Sequence, residues 1–107
     1  MIRSQIEEEI RLSLTISKGS FFRRPDFGHR LNELSRTVSS ETTRNRAEKY
    51  ARDALQWMID IKHLRSVEVY ASYDRDDRLL INIEAIPFND KQITFKKYVE
   101  VGDVSNS

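Results

Sequence analysis

Apolar residues Ala47, Tyr50, Ala51, Ala54, Leu55, Met58 and Ile59 recur at the three- and four-residue steps of one helical face. That stripe predicts a helix over residues 41–61, and a helix with one apolar face needs a second layer to cover it. The residues that follow supply a layer with a different period. Val67, Val69, Ala71 and Tyr73 alternate with Glu68, Tyr70 and Ser72, and Leu79, Ile81, Ile83 and Ala85 alternate with Leu80, Asn82, Glu84 and Ile86. Strands over 66–73 and 78–86 follow, with Asp74-Arg75-Asp76-Asp77 as a hairpin turn. Pro87 ends the second strand because it has no amide hydrogen for the ladder. A third run, 91–101, keeps Ile93, Phe95, Val99 and Val101 on one parity, and Lys97 interrupts it. An edge strand or a bulge is expected there.

Upstream, Ile6, Ile10 and Leu14 step by four, and Glu7, Glu8 and Glu9 favour helix over strand, so a helix is expected over residues 3–14. Gly19, Pro25 and Gly28 make 18–28 an irregular stretch, and a short second helix over 28–36 would bury Leu31 and Leu34. Ser39 or Ser40 can cap the long helix, Glu41 places negative charge in its first turn, and Glu48 is spaced to pair with Arg52. The fold class is α+β: helix, loop, short helix and long helix packed on a mainly antiparallel meander of three strands. With 107 residues the chain holds one domain, expected over 1–101, and a flexible polar tail at 102–107.

Several classes of function lose their footing on composition. Lys+Arg 18 against Asp+Glu 17 gives a net charge of +1, whereas general nucleic-acid or membrane binders carry a marked positive excess. With no cysteine there is no disulfide, thiolate zinc site or cysteine nucleophile. No apolar run approaches the roughly 20 residues that cross a bilayer, and MIRSQIEEEI lacks a signal-peptide core, so synthesis and retention in the cytoplasm are expected.

Candidate chemistry is sparse. Neighbours among Glu7, Glu8 and Glu9 point about 100° apart on a helix and cannot flank one glycosidic bond. Asp74, Asp76 and Asp77 lack the glycine and distant glutamate of a calcium loop, and His29 and His63 stand outside any zinc spacing. Neither a nucleophile elbow nor a phosphate loop occurs. No catalytic, cofactor-binding or metal-binding residue is assigned, and no cofactor is expected. Arg23 and Arg24 beside Phe21, Phe22 and Phe27 form the one basic–aromatic cluster; they can stack on single-stranded nucleic acid or plug the core beneath a loop. Trp57, at the border of the long helix's apolar face, reads as a core residue or as a partner anchor.

The run GSFFRRPDFG at 19–28, followed by Leu31 and Leu34, resembles baseplate wedge proteins of contractile-tailed phages. In those proteins a helix leads to a glycine-initiated loop and a Pro-x-Phe-Gly entry into a short helix. The second half is similar too, through RNRAEKYARDALQWMID, SVEVYAS and LLINIEAI, and the ALQWMID ending resembles the Mu-like prophage branch. The resemblance covers about residues 3–88. Many members, including the type VI secretion counterpart, carry Glu-Pro-Arg at the end of the long helix; here Gln56-Trp57-Met58-Ile59-Asp60 stands instead, so contacts through that tripeptide do not transfer.

The resemblance implies a non-enzymatic virion component, made in the host cytoplasm and placed in the tail baseplate. It would join wedge assembly and sheath initiation by contacts with other baseplate, sheath or tail-tube proteins, partly by strand exchange, without nucleic acid or membrane, and within an oligomeric assembly. Candidate partner-binding residues are Arg23, Arg24, Trp57, Ile93, Phe95 and Lys97. The third strand either serves a partner or completes the domain's own sheet. Two other functions compete: a peptidoglycan-cleaving enzyme, since the family is also labelled tail lysozyme, and a small nucleic-acid-binding module.

Overall fold

The computed structural model describes residues 2–16, 18–19 and 27–102. Helix α1 spans Arg3–Thr15 and α2 spans Glu41–Asp60; strands β1 Ser66–Arg75, β2 Arg78–Ile86 and β3 Ile93–Glu100 form an antiparallel sheet in the order β1-β2-β3. This is the α+β class expected. The short helix expected over 28–36 forms as 3₁₀ turns over Leu31–Arg36, starting three residues later than expected. His29 precedes it in a short backbone pairing, donating its N–H to the Ile16 carbonyl at 3.0 Å and accepting from Lys18 N–H at 2.6 Å. That pairing sets the start of the helix at Leu31, and Leu31 and Leu34, one 3₁₀ turn apart, are both buried.

Both ends of α2 are defined by side-chain and backbone chemistry. Ser40 Oγ accepts the Thr43 N–H at 3.1 Å, and Thr43 Oγ1 donates to the Val38 carbonyl at 2.7 Å. At the far end Lys62 takes φ 69°, with Lys62 N–H on the Ile59 carbonyl at 3.0 Å and His63 N–H on the Met58 carbonyl at 2.8 Å. These two bonds are a Schellman closure built without its usual glycine. The expected pairing of Glu48 with Arg52 does not form; Glu48 bonds Arg44 and the sheet instead.

The hairpin turn is tighter than expected. β1 runs on to Arg75, only Asp76 and Asp77 form the turn, and the register shifts between Tyr73 and Arg75. The irregularity thus lies in β1, while β3 pairs with β2 in unbroken register from Arg78↔Glu100 to Ala85↔Ile93. Lys97 interrupts the apolar parity because β3 is an edge strand, with no bulge. One apolar cluster joins the layers: Ile6, Ile10 and Leu14 from α1, Ala51, Leu55 and Met58 from α2, and Leu79, Ile81 and Ile83 from β2, all buried. The opposite sheet face carries Glu68, Tyr70, Leu80, Glu84 and Tyr98 and is left open, with Tyr70 and Tyr98 about half exposed.

Candidate functional site

A three-stranded open sheet has two edges, and this one treats them differently. At the β1 edge, Glu48 Oε2 accepts the Ala71 N–H at 2.9 Å and Arg44 Nη1 donates to the Ala71 carbonyl at 3.2 Å. The two side chains pair with each other at 2.9 Å, and Glu41 holds the second Arg44 nitrogen at 2.7 Å. Both polar groups of Ala71 that would face an added strand are therefore satisfied from α2. Nearby, the Tyr73 hydroxyl bonds the Ser40 backbone in both directions at 2.7 Å, fastening the same edge to the start of α2.

Among the described residues the β3 edge has no such seal. Val101 N–H continues the ladder onto the Asp77 carbonyl at 2.9 Å. By the alternation of an antiparallel ladder, Ile93, Phe95, Lys97 and Val99 then turn their amides toward β2. Thr94, Lys96, Tyr98 and Glu100 turn theirs outward, and among the described residues these outward groups have no hydrogen-bond partner. Two grooves run beside this edge. One, of about 290 Å³, lies between α1 and the start of β3 and includes Glu8, Arg11, Ile93 and Phe95. The other, of about 330 Å³, lies between the 3₁₀ turn and the end of β3 and includes His29, Leu31, Asn32 and Lys97.

The electrostatics of the second groove follow from burial. His29 Nδ1 accepts the Leu31 N–H at 3.0 Å. Burial first, and then the Lys97 charge, hold the His29 pKa below the ordinary histidine value, against a raising hydrogen bond at Thr15. Lys97 is half-buried and forms no ion pair with any described residue.

The structure brings together three of the candidate residues named from sequence. Ile93, Phe95 and Lys97 share one face of β3, with Ile93 buried and the other two half-buried. Trp57 lies elsewhere, in the seam between α1 and α2. Its indole N–H bonds Ser13 Oγ at 2.9 Å, and its ring meets Phe27 and His63 edge-on at 5.8 and 6.3 Å. Arg23 and Arg24 fall outside the described residues, as do 103–107 of the expected tail. Sequence reasoning missed the pair His63 Nδ1–Glu9 Oε1 at 2.7 Å and the Arg44–Glu48 seal. The first joins residues 54 positions apart and has no local signal; for the second, Arg44 and Arg52 stand at equal spacing from Glu48. Among the described residues no group of three or more His, Cys, Asp or Glu is placed to hold a metal ion, and no helix is long and apolar enough to cross a membrane.

The phage protein GP46 family model matches residues 5–91, most of the chain. The protein belongs to this family. A crystal structure at 1.44 Å of a protein from Geobacter sulfurreducens, provisionally described as a tail lysozyme, is similar in fold. It aligns with TM-score 0.73 and 23% identity over 98% of this chain and 97% of that one. A search of curated proteins finds no match. The match begins within α1, takes in α2, β1 and β2, and ends just before β3.

Proposed function

We propose that this GP46-family protein is a non-enzymatic structural component of a contractile phage tail baseplate, acting in wedge assembly and sheath initiation. In this reading it offers the β3 edge to a strand of a neighbouring baseplate, sheath or tube protein. The carrying observation is a difference between the edges: at β1 the outward backbone groups of Ala71 are taken by Arg44 and Glu48, while at β3 none of the four successive outward positions, which lie beside two grooves, is taken among the described residues. Strand addition draws affinity from backbone bonds and register from alternate side chains. The phage family and the likeness to a structure described as a tail lysozyme support a place in the tail.

A cell-wall hydrolase needs two carboxylates flanking a cleft. The first β3 groove is bordered by Glu7 and Glu8, but these are consecutive residues of one helix and each is paired, Glu7 with Arg3 at 3.3 Å and Glu8 with Arg11 at 2.5 Å. The directly opposed pair Glu68 and Glu84 stands on the other sheet face, outside both grooves. The deciding experiment co-expresses the chain with the sheath and baseplate proteins of a contractile phage tail and images the complex. Density for a partner strand along β3 is expected. Lysis of cell walls by the purified chain, abolished by replacing one acid, would overturn this reading.

A further inference from the structure

We infer that the β3 edge selects its partner strand by charge, taking an extended segment with a carboxylate opposite Lys97 and apolar side chains two residues to either side. This rests on the reading of β3 as the partner's seat. Because Lys97 turns its amide toward β2, an antiparallel strand added outside β3 meets it as a non-hydrogen-bonded pair, the closer of the two pair types, with Cα atoms about 4.5 Å apart. Its side chain points to the same face as Ile93, Phe95 and Val99, and the second groove lies beside it.

Lys97 is the one cation in that row, is half-buried, and has no anionic partner among the described residues. His29, across the groove, is neutral or cationic and in neither form supplies a counter-charge; Lys97 itself helps hold its pKa down. Of the other members of the groove, Thr15, Leu31, Asn32, Ser35 and Val99 are uncharged, and Tyr98 and Glu100 stand on the opposite parity of the strand. An ammonium directed inward on an edge strand deters indiscriminate pairing. Pairing becomes favourable once the incoming strand supplies the missing charge. Phe95 and Val99, two residues away on each side, then fix the apolar positions of the incoming strand.

The test uses the 107-residue chain labelled with nitrogen-15 and three capped peptides of sequence Val-Thr-Val-Thr-Xaa-Thr-Val-Thr-Val. Xaa is glutamate, glutamine or lysine. Amide shifts over 94–100 are expected with the glutamate peptide, which should bind about five- to tenfold more tightly than the glutamine peptide and more tightly still than the lysine one. In Lys97→Gln, a variant of similar length, that preference should vanish while the melting curve stays close to the parent's. Equal shifts along β3 with all three peptides would refute charge selection and leave the β3 seat intact. A glutamate preference that survives in Lys97→Gln would also refute it, by placing the selecting cation elsewhere. No shifts along β3 with any peptide would overturn the seat and the inference together.

Discussion

Ser13, fully buried on α1, accepts the indole N–H of Trp57 at 2.9 Å and so ties the two helices by a polar bond inside an apolar seam. Removing either partner strands the other. Ser13→Ala and Trp57→Phe should each destabilise the fold, the serine change by about 1 kcal/mol. The double variant should lose less than the sum, because both act on one contact. Urea unfolding of the four proteins measures the coupling; strict additivity would mean the bond contributes nothing.

Glu48→Ala would leave the Ala71 N–H unpaired and remove the carboxylate that pairs with Arg44 beside β1. The expected cost is roughly 1–2 kcal/mol, with concentration-dependent self-association as a β1 edge opens. Lys49→Ala, which breaks an exposed pair with Asp53, is the control and should cost under about 0.5 kcal/mol. Sedimentation together with thermal melts distinguishes the two variants.

Lys62 holds a left-handed backbone, φ 69°, at the closure of α2. Lys62→Gly should stabilise the protein by about 0.5–1 kcal/mol, the gain from relieved strain exceeding glycine's extra chain entropy. A lower melting temperature would show that the Lys62 side chain contributes more than its backbone costs.

Thr94→Pro removes an outward-facing amide hydrogen, whereas Phe95→Pro removes one bonded to β2. The first should leave the melting temperature within about 5 °C of the parent while abolishing baseplate incorporation. The second should destabilise the isolated domain several times more. If Thr94→Pro melts as early as Phe95→Pro, the outward orientation assigned to Thr94 is wrong.

His29 has a folded pKa held below the ordinary histidine value, chiefly by burial. In that case the unfolded chain binds the proton more readily. The stability from a neutral His29 is complete above about pH 6.5 and is lost as pH falls through the folded value. Melting temperature should therefore drop on acidification from pH 7, and His29→Asn, which keeps an acceptor for the Leu31 amide, should flatten that slope. An unchanged slope would assign the titration to another group.

The elements whose burial follows a simple period were readable from the chain. α2 showed its stripe from Ala47 to Ile59, and β2 ran over the expected Arg78–Ile86. Local propensity also placed α1, where three consecutive glutamates outweighed the strand-like alternation of Ile10, Leu12, Leu14 and Ile16. The short helix that buries Leu31 and Leu34 was legible too, but its start at Leu31 rather than Gly28 was not, because the His29–Ile16 bond that sets it is not local. At the candidate site, the odd placement of Lys97 pointed to an edge. Which edge was closed depended on Glu48 reaching Ala71, a contact 23 residues apart with no imprint on periodicity.

Arg3 reaches the far end of the chain, donating to the Lys91 carbonyl at 2.7 Å and the Gln92 carbonyl at 3.0 Å, with Asp90 Oδ1 at 3.1 Å. Helix α1 is thus clasped by the residues that introduce β3. A chain broken off before residue 90 has neither that clasp nor the β3 edge. One arginine near the start of α1 therefore sets where the edge strand begins relative to the helix beside it.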